Sequence, residues 1–162
     1  MSVTRCPGCG ASLPGRDGPV HEYMISSPAC WALFGEVLAA EYADPALRDT
    51  HRLSVDTYAV QHPGAPSDRR AVQSVGLHLA RLYRRLGSDM TPEETNAVMT
   101  GFVGRKESLI QLNPPTAFTM TVADIAPLIG GPGHSAAVRA WAERTWDDWA
   151  QHHDYIRDWA DG

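Results

Sequence analysis

Cys6-Pro7-Gly8-Cys9-Gly10 is the segment of this chain whose residue types and spacing say most about chemistry. Two thiols three positions apart can grip one tetrahedral ion, because the Pro-Gly between them folds into a tight turn. Gly10 then lets backbone amides approach the sulfurs. Zinc takes four sulfur or nitrogen ligands in such sites. The sequence holds one further cysteine, Cys30, and the nearest histidine is His21. Cys6, Cys9, His21 and Cys30 therefore make a Cys3His set, with a histidine from further along the chain able to replace His21. Cys30 falls in the first turn of a helix, where the partial positive charge favours a thiolate. Zinc there would tie the first residues of the chain onto the helical body. Four protein ligands would make the site structural, and three plus water would make it catalytic; the sequence does not fix that count.

A second group of polar residues sits where helices should be apolar. His51, Val55, Tyr58 and His62 share one helical stripe. His51 and His62 are eleven residues apart, about 16 Å along a helix axis, so they cannot share an ion. Asp56 lies between Leu53 and Val60. The next helix returns antiparallel after Pro63–Pro66; with the loop centred on residue 65, His51 comes level with Leu79, next to His78 on the inner stripe. Two histidines from facing helices at one height can share a metal or a proton. Near the end, His153 continues the stripe of Ala142, Trp146, Trp149 and Ile156, and His152 lies four residues after Asp148, which could orient it. Residues 68–86 are rich in arginine and residues 141–162 in acids. That charge pairing would bring the last helix, with His152 or His153, towards His78. His51, His78 and His153 are thus candidate ligands or general bases, with Asp56 as orienter or base. The plainer reading of each is a hydrogen-bonded core histidine, of the tryptophans a core, and of the arginines a solvated face.

The elements that must position these groups are helices. Residues 1–27 are rich in glycine and proline and read as an irregular head. Ser27-Pro28 opens a helix to about Ala43 with Trp31, Phe34, Leu38 and Tyr42 on one stripe. Asp44-Pro45 starts a second, which must end near His62 before Pro63-Gly64. Ser67 can cap a third over 68–86, and Thr91-Pro92-Glu93-Glu94 fits a capping box. Residues 104–120 carry no clear period. Thr121 starts a short helix to Ile129, Gly130–Gly133 is a break, and one last helix spans about 135–159. No strand series and no repeat is visible. The expectation is an all-α bundle of five to six helices, residues 28–162, behind a zinc-knuckle head, residues 1–27, in one compact unit.

Composition narrows the function classes. The chain has 162 residues, a net charge of −5 and 43% hydrophobic residues, which suits one core. The acidic balance argues against nucleic acid and anionic membranes as partners. No apolar run approaches a membrane span, and the first residues show no secretory h-region, so the expected location is cytoplasmic, where cysteines serve as thiols or metal ligands. Lys106 is the single lysine among 14 basic residues, a bias typical of a GC-rich bacterial genome. Self-association is left open.

The stretches CPGCGA, HEYMISSPACWALFGEVLAAEY, HRLSVDTYAVQHPG, QSVGLHLARL and WAERTWDDWAQHH together resemble an uncharacterised family of small bacterial proteins of unknown function. The resemblance covers nearly the whole chain. It brings no activity with it, but implies that Cys6, Cys9, His21, Cys30, His51, Asp56, Tyr58, His62, His78, His152 and His153 act together. There is no Walker motif, GxGxxG or GxSxG. Two functional readings remain. One is a zinc-binding helical protein whose histidine-lined cavity performs metal-dependent, hydrolytic or related chemistry on a small-molecule substrate. The other is a non-catalytic, zinc-stabilised binding, accessory or regulatory module.

Overall fold

A computed structural model describes residues 2–162. Its helices begin where local capping chemistry allows. Helix α1, Pro28–Ala43, opens with Pro28 in the first position, and the Ser27 hydroxyl accepts the Cys30 amide at 3.1 Å. Asp44 accepts the Ala46 amide and starts a 3-10 turn, Pro45–Leu47, so that α2 spans Arg48–Gln61, three residues later than the Asp44-Pro45 signal suggests. Helix α3, Arg69–Gly87, is capped by Asp68 in place of Ser67. The capping box at Thr91 and Glu94 is complete on α4, Pro92–Gly104. A second one, Thr121 with Asp124, opens the short α5, Val122–Ile125.

The final helix expected over 135–159 is two. Helix α6 spans His134–Asp148, Trp149 leaves helical geometry, and after a 3-10 turn the chain resumes as α7, His153–Asp161. The reason is tertiary. A straight helix of that length would run about 37 Å in one direction. The break lets α6 pack on α2 while α7 turns back onto α3. Trp149, at the corner, and Ile156 are both fully buried.

The head also departs from expectation. Val3–Arg5 (β1) and Ser12–Pro14 (β2) pair antiparallel, Val3 opposite Pro14 and Arg5 opposite Ser12. This hairpin of three-residue strands has no apolar face of its own. Its connecting turn is the Cys6–Cys9 segment, and Cys6, Cys9 and Ala11 join the core built by Phe34, Val37, Leu79, Leu82, Val138 and Trp141. Among the described residues no helix is long and apolar enough to cross a membrane.

Helix α2 runs through the middle, against α1, α3 and α6. Two buried carboxylates tie it in place. Glu41 of α1, 3% exposed, accepts hydrogen bonds from Ser54 and from His51 Nδ1 (3.1 Å), both on α2, and from His134 Nε2 (2.9 Å) on α6. The Gly130 amide donates to His134 Nδ1 at 2.9 Å, which places that ring's proton on Nε2, facing Glu41. Asp56 of α2, 1% exposed, accepts from His78 Nδ1 (2.7 Å) and Arg81 Nε (3.1 Å), both on α3. Buried carboxylates are tolerated when donors surround them in this way.

Glu41→Leu would leave the buried His134 Nε2–H without its acceptor and the Ser54 hydroxyl with only the Thr50 carbonyl. It should lower unfolding stability by about 2–5 kcal/mol, measured by chemical denaturation. His51→Gln, at the half-exposed edge of the group, should cost about 1 kcal/mol or less.

Candidate metal centre

The first two cysteines owe their placement to glycine. Gly10 has φ +84°, and the turn closes through Gly10 N–H to Cys6 O (3.0 Å) and Cys6 N–H to Ala11 O (2.9 Å). A Cβ on Gly8 would stand 2.4 Å from the Ile25 carbonyl oxygen and 2.5 Å from His62 Cδ2. The turn is therefore pressed directly against the histidine at the end of α2. Cys30 arrives from the first turn of α1. Because α1 and α2 form an antiparallel hairpin, the start of α1 and the end of α2 meet at the same height, under the turn.

Four donor atoms converge there. The sulfurs of Cys6, Cys9 and Cys30 and a ring nitrogen of His62 all lie within 4.8 Å of one another. Cys30 Sγ stands 3.8 Å from Cys9 Sγ, 3.4 Å from His62 Nε2 and 3.4 Å from Tyr58 Oη. The four residues are 2%, 4%, 0% and 1% exposed in chain order, so the donors are almost wholly withdrawn from solvent. The surroundings aim the ligands. His62 Nδ1–H donates to the Tyr58 carbonyl at 2.7 Å, so the Nε2 lone pair points at the sulfurs. The ring stacks on Tyr58 at 3.8 Å, and Tyr58 stacks on Phe34 at 3.9 Å. The Ser27 amide donates to Cys6 Sγ at 3.5 Å.

Such a cluster could hold a metal ion. Three thiols this close cannot all ionise against one another. Hydrogen bonds from Cys30 and then Cys9 hold the Cys6 thiol far below its usual range. Cys30 also stabilises a Cys9 thiolate, but the bond to Cys6 and burial outweigh it and push Cys9 up to about 12. Cys30 is driven far upward by its bonds to Cys6 and Cys9 and by burial. A bound cation would supply the missing positive charge and let all three sulfurs bind as thiolates.

His21, the histidine expected to complete the set, lies outside this group. Its Nδ1 accepts the amides of Tyr23 (3.1 Å) and Met24 (3.2 Å), an arrangement that orders a turn. His62 stands in its place. The signal was present in the sequence: the antiparallel register that relates α2 to α3, applied to the α1–α2 hairpin, sets Cys30 level with residue 61 or 62.

The other candidates do not form one site. Helix α3 runs against α2 as expected, yet His51 and His78 belong to different groups. His51 turns to Glu41 and meets the Tyr42 ring at a tilt, whereas His78 turns to Asp56. Matching height along two helices does not make two side chains face each other: residues 51 and 56 are five apart, about 140° around α2. His153 stacks on Trp146 at 3.9 Å and its Nε2 donates to the Trp146 carbonyl. His152 contacts the Asn113 carbonyl, and Asp148, its expected partner, instead accepts from the Thr119 amide and hydroxyl. The charge pairing of α3 with the final segment is present as Arg84 to Asp161 at 2.9 Å.

Gly8→Ala should push the turn off His62. Metal affinity, measured by competition with a chromogenic chelator, should fall about 10–100-fold, while the helical circular dichroism stays unchanged.

The model of the family DUF5946, described as a family of unknown function, matches residues 4–150. No curated protein and no solved structure matches the chain. The matched span includes all four clustered donors and both buried carboxylates; the chain belongs to DUF5946, a family of unknown function.

Proposed function

We propose that this protein is a zinc-stabilised, non-catalytic binding or accessory module. One zinc ion, held by Cys6, Cys9, Cys30 and His62, fixes the N-terminal hairpin to the helices. The observation that carries the reading is the burial of all four donors. Zinc–sulfur bonds of about 2.3 Å in a tetrahedron set neighbouring sulfurs about 3.8 Å apart, and Cys9 and Cys30 stand at 3.8 Å. Three thiolates and a neutral imidazole suit zinc, whereas the common iron–sulfur clusters use four cysteines. A tetrahedron closed by protein has no position for a reacting water. The histidines that would serve a hydrolytic site face separate carboxylates or carbonyls and do not converge. Free, closely spaced thiols fit a reducing compartment such as the cytoplasm.

Elemental analysis of the purified protein should give about one zinc per chain. Cys6→Ser and His62→Ala should lose most of it, and His21→Ala should keep it. Full zinc in His62→Ala would overturn the ligand assignment.

Removing zinc with a chelator should accelerate amide exchange in residues 2–27 far more than in α2 and α6, since the hairpin lacks a core of its own. Uniform loosening of the whole chain would contradict the role given to the ion.

A further inference from the structure

A groove opens between the knuckle turn, the α2–α3 loop, the start of α3 and the segment 111–116. Pro7 and Gly8 form one wall, the loop at Pro63–Pro66 a second, and Pro114 and Pro115 a third. The buried side chains of Ala71, Val72, Val75 and Leu112 make the floor, and Ile25, 45% exposed, stands at the lip. The groove measures about 360 Å³. That lies in the range of small-molecule sites, and an apolar cavity of about 150 Å³ already takes benzene.

Each wall is anchored outside the groove, so the depression is preformed. A Cβ on Gly8 would collide with the Ile25 carbonyl oxygen, and one on Gly64 with the Tyr23 carbonyl oxygen; both turns are pressed against the segment before α1. The third wall is held at Leu109, whose carbonyl accepts Arg69 at 3.0 Å, and at Asn113, whose carbonyl accepts Gln151 Nε2 at 3.2 Å. Pro114 and Pro115 then fix two successive φ angles and stiffen it. The lining also selects by charge. One residue in five of this chain is charged, 20%, yet among the described residues that line the groove none is. Its two polar side chains, Gln111 and Thr116, are neutral. An ion entering it would lose water and gain no counter-charge.

We propose that this groove binds a neutral, mainly apolar small molecule of one or two rings, whose polar group is a hydroxyl or an amide and not an ion. The ring system lies on Val72, Val75 and Leu112 and covers Ile25. A protein partner is a poorer occupant. A stable interface takes about 800 Å² from each side, whereas Ile25 is the one large hydrophobic of the lining that stays exposed, so the apolar surface ends at the lip. The proposal names a ligand class for the binding-module reading, and rests on that reading only for the ion that seats the Pro7–Gly8 wall.

The test is titration of naphthol, and separately of naphthoate, its carboxylate counterpart, into the purified full chain, followed by NMR shifts of the Val72, Val75 and Leu112 methyl groups. Naphthol should bind saturably, at millimolar Kd or tighter, and naphthoate about tenfold more weakly or less. Ile25→Glu and Thr116→Glu, both at exposed positions, should each weaken naphthol binding about tenfold, with helical content retained. Val103→Glu, on the exposed face of α4, should leave it unchanged. No saturable naphthol binding, shifts that fall outside the groove, equal binding of naphthoate, or wild-type binding by both lining variants would each overturn the proposal. So would a dimer in light scattering that naphthol does not perturb, since a second copy would then fill the groove. Zinc content measured on the same sample keeps the two readings apart: a zinc-loaded chain that binds no naphthol overturns the groove alone, and a zinc-free chain that binds it upholds the groove and overturns the zinc.

Discussion

The contact between Cys30 and His62, Sγ to Nε2 at 3.4 Å, is where the two halves of this architecture meet. It closes the open end of the α1–α2 hairpin and offers the N-terminal turn two of the four donors it needs. The turn adds Cys6 and Cys9 from a hairpin of three-residue strands, too small to fold on burial alone. Packing four soft donors in a dry pocket creates an electrostatic problem. One of the neighbouring thiols can ionise while the others stay protonated, and a bound cation would let all three act as thiolates. With such an ion the cluster would be a strong link between the hairpin and the helices. Phe34, Tyr58 and His62 stacked in series give that link a rigid base.

Helix α2 distributes its polar groups in three directions, and this governs what chemistry the body can support. His62 leaves its end towards the cysteines, Ser54 and His51 turn to Glu41, and Asp56 turns to α3. Each buried carboxylate is surrounded by donors from neighbouring helices. Such pairs fix register, because sliding α3 by one turn would strand Asp56 in the core without partners. The consequence is that the histidines are dispersed, each committed to a different acceptor. The cysteine cluster, by contrast, gathers its four donors into one point.

Much of the architecture is legible in the order of residues alone. Ser27-Pro28 and the Thr91–Glu94 box open helices as their chemistry requires, and the knuckle spacing singles out Cys6 and Cys9. These signals are local: a cap needs a side chain within three residues of the amide it accepts, and a tight turn needs its own glycines. The break at Trp149 left no such mark, since the segment reads as a continuous apolar stripe and breaks only because α6 and α7 must pack on different partners.

The helical class, the places where most helices start, and three of the four clustered donors can be read from the order of residues. The fourth, His62, follows from the packing of α1 against α2, whose register sets Cys30 level with residue 61 or 62. His21 is nearer along the chain, but a ligand is selected by distance in space, and the hairpin of α1 and α2 carries His62 to Cys30 while His21 folds back onto its own turn. Tertiary packing also decided that His51 and His78 would part company. Periodicity gives the height of a residue along its helix, but which neighbour it faces depends on how that helix is rotated when the whole core packs, and no stretch of sequence encodes that rotation on its own.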